Sequence, residues 1–180
     1  MRHYTHLLKR FVWANRLTAG GTVGLSGNSA ARRFFLGGDA NWFNYGVNRE
    51  EYDNNLAYSY YSDIVAPLRG WNYFDITGDR MLLMNSEFRF PFIREISTVW
   101  PIPMQIRYIN GAMFVDAGYA WTQDEEGGKL LPLPPKIVGG YGFGMRANLG
   151  IFVLRYDRGW PTDWKSTGRP INYFSLGAEF

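Results

Sequence analysis

No cysteine occurs in this chain of 180 residues, and only two histidines do, His3 and His6. The first absence removes disulfides, structural thiolate–zinc sites and thiol nucleophiles together. The second confines imidazole chemistry to the first few residues, where a bare His-x-x-His pair is no ligand set on its own. Neither a Gly-x-Ser-x-Gly element nor a phosphate loop is present. No enzyme activity, cofactor or metal is therefore expected. Long apolar runs are also missing, which excludes a transmembrane helix. A net charge of +3, with no extended basic run, gives no footprint for nucleic acid. Met1–Arg10 carries Arg2, Lys9 and Arg10 without a following apolar stretch, so no signal peptide is read there and the start is expected to be unstructured.

Aromatic residues and glycine are abundant. The chain has 7 Trp, 12 Tyr, 13 Phe and 21 Gly, a combination suited to strands with aromatic girdles and glycine-containing corners. Its apolar residues alternate with polar ones. The segment 170–180 places Phe174, Leu176, Ala178 and Phe180 on one face, with Tyr173, Ser175, Gly177 and Glu179 between them. Five more segments repeat this period of two, near 8–23, 80–92, 104–122, 136–149 and 151–158. Near 80–92, Leu82, Met84, Phe88 and Phe90 oppose Asn85, Glu87 and Arg89. Near 136–149, Ile137, Tyr141, Phe143 and Met145 oppose Gly140, Gly142, Gly144, Arg146 and Asn148. Pro91–Pro103 and Asn148–Gly150 are expected turns, and 25–79, 123–135 and 159–169 are expected loops.

The pattern predicts an all-β fold, an antiparallel transmembrane β-barrel segment with a long inserted loop at about 25–79. Glu87, Arg89, Asp116, Arg146 and Arg155 on the polar faces would be costly in an oily core and are readily accommodated beside a watery lumen. Six strands are too few to enclose one, since single-chain bacterial barrels start at about eight. The expectation is therefore that 1–180 is the C-terminal part of one barrel domain, with strands upstream.

Five motifs, in order, resemble the bacterial surface-antigen superfamily of outer-membrane assembly and translocation barrels. They are Phe34-Phe35-Leu36-Gly37-Gly38 with Leu68-Arg69-Gly70-Trp71, then Asn85-Ser86-Glu87-Phe88-Arg89-Phe90-Pro91, then Phe114-Val115-Asp116-Ala117-Gly118 with Trp121, then Gly142-Phe143-Gly144-Met145-Arg146, and finally Phe174-Ser175-Leu176-Gly177-Ala178-Glu179-Phe180. The resemblance implies that these are the last six of about sixteen strands. It implies a lumenal loop whose arginine, here Arg69, pairs with wall carboxylates, here Glu87 and Asp116, and a closing strand at 170–180. Both acids fall on polar strand faces, and a planar guanidinium suits two carboxylates in a partly desolvated space. Gly37, Gly38 and Gly70 would let the loop backbone turn tightly. The alternative is an exposed Arg69 with two solvated acids. Glu87 and Asp116 also have the residue types of a glycosidase pair, but their opposition to Arg69 favours an ion-pair network.

One departure from the family pattern is the 29-residue spacing between Gly38 and Leu68. This insert is rich in tyrosine and acids, with Asp39, Glu50, Glu51, Asp53 and Asp63 against Arg49. It reads as an extracellular cap or a partner-contacting surface. Three functions stay open: protein insertion or translocation at the outer membrane, a structural or transport barrel without that activity, and a soluble aromatic-rich module binding carbohydrate. For the first, the implied partners are outer-membrane lipid, client outer-membrane or secreted proteins, and periplasmic partners held by upstream domains.

Overall fold

The computed structural model describes residues 1–7, 10–22, 34–39, 65–73, 75–98, 104–122, 137–149 and 153–177. Ten strands and no helix occur among them. Seven form one antiparallel sheet: β1 (Arg2–Leu7), β2 (Phe11–Gly21), β6 (Arg80–Thr98), β7 (Met104–Trp121), β8 (Val138–Asn148), β9 (Val153–Thr162) and β10 (Ile171–Gly177). They lie side by side in chain order, with β1 and β10 at the edges, and the sheet is not closed among the described residues. Three short strands from the loop between β2 and β6 form a second sheet: β3 (Phe34–Leu36), β4 (Val65–Ala66) and β5 (Ile76–Gly78). β3 lies between the other two, parallel to β4 and antiparallel to β5.

The main sheet has seven strands where six were expected. The extra one is β1, paired with β2 from Arg2↔Arg16 to Leu7↔Phe11. Its polar residues hide the alternation, and its order comes from the ladder with β2. Pro91 was expected in a turn and lies instead within β6. There the register with β7 shifts between Pro91 and Ile93, an irregularity that accommodates a residue without a backbone N–H. β9 runs four residues past its expected end at 158, so Gly159–Thr162 belong to the wall rather than to a loop.

Alternation sorts the side chains as the period of two requires. Leu82, Met84, Met113, Val115, Phe143, Met145, Phe174 and Leu176 point to the outer face and are exposed. The inner face carries Asn85, Glu87, Asp116, Arg146, Asp157, Tyr173 and Ser175, all buried. What buries them is the loop, folded back against the wall in two tiers. The first tier is apolar: Phe34, Leu36, Ala66 and Leu68 pack on Met81, Leu83 and Val138, flanked by Trp71, Ile76 and Ala120. Leu36, Leu68 and Leu83 are fully buried, each stabilising the docked loop by roughly 1.5–3 kcal/mol. The second tier, further along β6 and β8, is ionic.

Candidate functional site

The loop enters this site through backbone geometry that favours glycine. Gly37 (φ 143°), Gly38 (φ 69°) and Gly70 (φ 103°) all have positive φ. The N–H of Gly38 donates to the Trp71 carbonyl at 2.8 Å and that of Gly37 to the Ala66 carbonyl at 3.2 Å, tying the two ends of the loop together. A Cβ on Gly70 would sit 2.8 Å from the backbone of Trp160 and Pro161, so the loop tip rides directly on β9.

At that tip Arg69 is 3% exposed. Its Nε donates to Asp116 Oδ2 at 2.8 Å and its Nη2 to Asp116 Oδ1 at 2.9 Å, a bidentate fork, while its own backbone N–H reaches Oδ2 at 3.2 Å. Nη1 donates to Glu87 Oε2 at 2.6 Å. The guanidinium carbon stands 3.6 Å from the Phe114 ring centroid, within cation–π range. Burial alone would lower the Arg69 pKa, but the charge and hydrogen bonds of Asp116, joined by Glu87, hold it well above its ordinary value. The structure thus brings Arg69, Glu87, Asp116 and Phe114 together at one point.

The pairing extends beyond those residues. Glu87 also accepts from Arg89 Nε at 2.8 Å and Arg146 Nη2 at 3.1 Å. Arg146 forms a second fork on Asp157, at 2.5 and 3.1 Å. Arg155 Nε joins Asp157 at 2.9 Å, and its Nη2 lies 3.3 Å from Asp39 Oδ2. Among the described residues, four carboxylates (Asp39, Glu87, Asp116, Asp157) therefore meet four guanidiniums (Arg69, Arg89, Arg146, Arg155), opposite charges in equal number. Burial pushes the Asp39 carboxyl up from its ordinary value, with Arg155 opposing the shift.

A column of missing side chains makes room for the tip. A Cβ on Gly140 would overlap the Arg69 carbonyl, one on Gly142 the Phe114 ring and the Arg158 carbonyl, and one on Gly144 the Asp157 carboxylate and Arg146. Gly118 plays the same part in the apolar tier, where a Cβ would come within 2.8 Å of Leu36. Tyr173 of β10 completes the cradle: its hydroxyl accepts from the Gly70 N–H at 2.6 Å and donates to the Trp71 carbonyl at 2.9 Å. The Trp71 indole N–H donates to the Gly139 carbonyl at 2.7 Å.

Phe174 and Leu176 of the expected closing strand lie on the outer face, away from this network. Gly177 pairs with Val153 at the end of β10, and Phe180 falls outside the described residues, as do positions 40–64 of the tyrosine-rich insert. Sequence reasoning missed Asp157, Asp39 and Tyr173 as members of the network. Asp157 and Tyr173 could have been found, since each sits at an inward position of an alternating strand.

An antiparallel wall with an apolar outer face and a charged inner face covered by its own loop is consistent with a segment of an outer-membrane β-barrel. The chain matches the Omp85 superfamily domain over residues 1–180, and it belongs to that superfamily of bacterial outer-membrane proteins, a family of protein assembly and translocation. Neither the curated proteins nor the solved structures contain a match to it.

Proposed function

We propose that this wall segment, as part of a larger barrel, inserts proteins into the outer membrane or translocates them across it, by offering the free edge of β10 to an incoming strand. The observation that carries the reading is an asymmetry in how the strands are held. Ion pairs tie the loop to β6, β7 and β9, and Arg146 of β8 joins the same network through Glu87 and Asp157, whereas among the described residues no ion pair reaches β10, which meets the loop through the Tyr173 hydroxyl. Among the described residues β10 is also an edge of the sheet, with a glycine at its far end that contributes no side-chain packing. Edge addition supplies backbone hydrogen bonds whatever the client's side chains are. The role asked of the protein is mechanical, with no catalytic group and no cofactor, and its partners are client proteins and lipid, with periplasmic partners recruited by domains outside this chain.

Single cysteines at Asn172, Phe174 and Leu176 of the full-length protein, in a cysteine-free background, test this during active export. Cross-links to a client's strand that follow its two-residue period support edge addition. Solute conductance with no such cross-link would identify a transport barrel instead.

A further inference from the structure

The outer face carries a charged group, Arg158, that an apolar lipid contact does not explain. Arg158 lies on β9 between Asp157 and Gly159, which face inward, so its side chain is directed outward, opposite Phe143 on one side and Asn172 on the other. Its Nε is buried and has no hydrogen-bond partner among the described residues. A cation on a lipid-facing strand is least unfavourable near the membrane interface. Here the guanidinium lies 5.4 Å from the Trp160 ring centroid, and Trp160 is stacked on Tyr141 at 6.0 Å and tilted against Phe143 at 5.7 Å. Aromatic rings of this kind mark the headgroup level of a barrel.

A second observation concerns the loop just beyond. Trp164 has a positive φ of 67°, unusual for a residue other than glycine. Hydrogen bonds fix it there: Thr162 Oγ1 accepts the Trp164 N–H at 3.0 Å, and Asp163 Oδ1 accepts the Lys165 and Ser166 N–H groups at 3.0 and 2.6 Å. The strained turn lays the indole across Gly139, where a Cβ would come within 2.5 Å of the ring, yet leaves the residue 54% exposed. Lys165 and Arg169 are exposed on the same loop. Backbone strain, an aromatic platform and unsatisfied positive charge thus meet at one place on the surface that faces lipid.

We propose that this patch binds the phosphate of an outer-leaflet lipid headgroup, with Arg158 as the primary ligand, Trp160 and Trp164 as its platform, and Lys165 and Arg169 as accessory cations. A guanidinium fork matches phosphate oxygens in geometry and charge. The connection from β9 to β10 lies at the same end as the long β2–β6 loop, and longer loops face outward in such barrels. The proposal rests on residence in the outer membrane and is independent of the insertion role.

The test uses full-length protein in phosphatidylcholine vesicles doped with lipid A, with dephosphorylated lipid A as the matched control. Wild type retains the phosphorylated lipid in preference to the control. Arg158→Ala weakens retention about tenfold, and Arg158→Lys, which keeps charge but loses the fork, falls between. Lys165→Ala with Arg169→Ala, both on an exposed loop, weakens it by about threefold and carries the test if Arg158→Ala does not fold by heat-modifiability. Equal retention of the two lipids overturns the proposal, as does wild-type retention by folded Arg158→Ala. Displacement of the lipid by inorganic phosphate at equal concentration would show a free-anion site and overturn it too.

Discussion

Removing Arg69 should release the loop, and the structure sets the size of the effect. Asp116 is fully buried, and the bonds shown to reach its carboxylate all come from Arg69: two from the guanidinium at 2.8 and 2.9 Å and one from the backbone N–H at 3.2 Å. Arg69→Ala leaves only the last. Glu87 is affected less, because Arg89 and Arg146 remain at 2.8 and 3.1 Å. The loss therefore falls on Asp116 as a buried and nearly unpaired charge, a change that costs about 3–5 kcal/mol. Expressed as a loop-opening equilibrium, that is about two to four decades. Protease cleavage of the loop in the assembled full-length protein reads this equilibrium when opening is fast relative to cutting. Heat-modifiability on gels reads the whole barrel. If the energy comes from the stranded charge, Asp116→Asn in the Arg69→Ala background should recover part of the protection. Unchanged cleavage in Arg69→Ala, or no recovery in the double variant, would refute the reasoning.

Three further perturbations probe different parts of the cradle. Tyr173→Phe removes both the acceptor for the Gly70 N–H and the donor to the Trp71 carbonyl, and should loosen the loop tip by about 1–3 kcal/mol, measured by amide exchange at Gly70. Gly140→Ala sets a methyl group on the Arg69 carbonyl and should expose the loop to protease even with every ion-pair residue intact; normal protection would show that β8 does not seat the tip. Asp163 has its pKa lowered from 3.8 by the backbone N–H groups of Ser166 and Lys165. A lowered folded value means that its contribution is present above 3.8 and is lost as pH falls through that depressed value. Amide exchange at Lys165 and Ser166 should thus show no protection change at neutral pH and a loss only in strong acid; loosening already near neutrality would contradict the assignment.

Much of the wall was legible in the sequence because alternation is a direct image of a sheet with two different solvents. Leu82, Met84, Phe143 and Met145 read as outward from their spacing alone, and they are. β1 was not legible because Arg2, His3, Thr5 and His6 carry little apolar contrast, and pairing with β2, a tertiary fact, creates the strand. The small sheet β3–β4–β5 was read as irregular loop because two- and three-residue strands have no period to detect. For the site, Arg69, Glu87 and Asp116 were named through the family resemblance together with their polar-face positions. Asp39 could not be reached that way: its salt bridge to Arg155 depends on the turn at Gly37–Gly38, a three-dimensional accident of loop return. The alternating glycines of β8 were visible as a pattern, but their meaning required knowing that a carbonyl, an aromatic ring and a carboxylate would occupy the spaces they leave.

The ionic brace has a mechanical corollary. Its charges sit on four consecutive strands and on the loop that precedes them, so any stretch of the wall across β6 to β9 must pull several opposed charges apart together. Such a panel meets lateral strain with several linked pairs rather than one. β10 is coupled to it by a hydrogen-bonded ladder and by the hydroxyl of Tyr173, and β1 by its ladder with β2. Strain on this wall would be taken up first along these margins, which makes stiffness, rather than shape, the property that varies most from strand to strand across it.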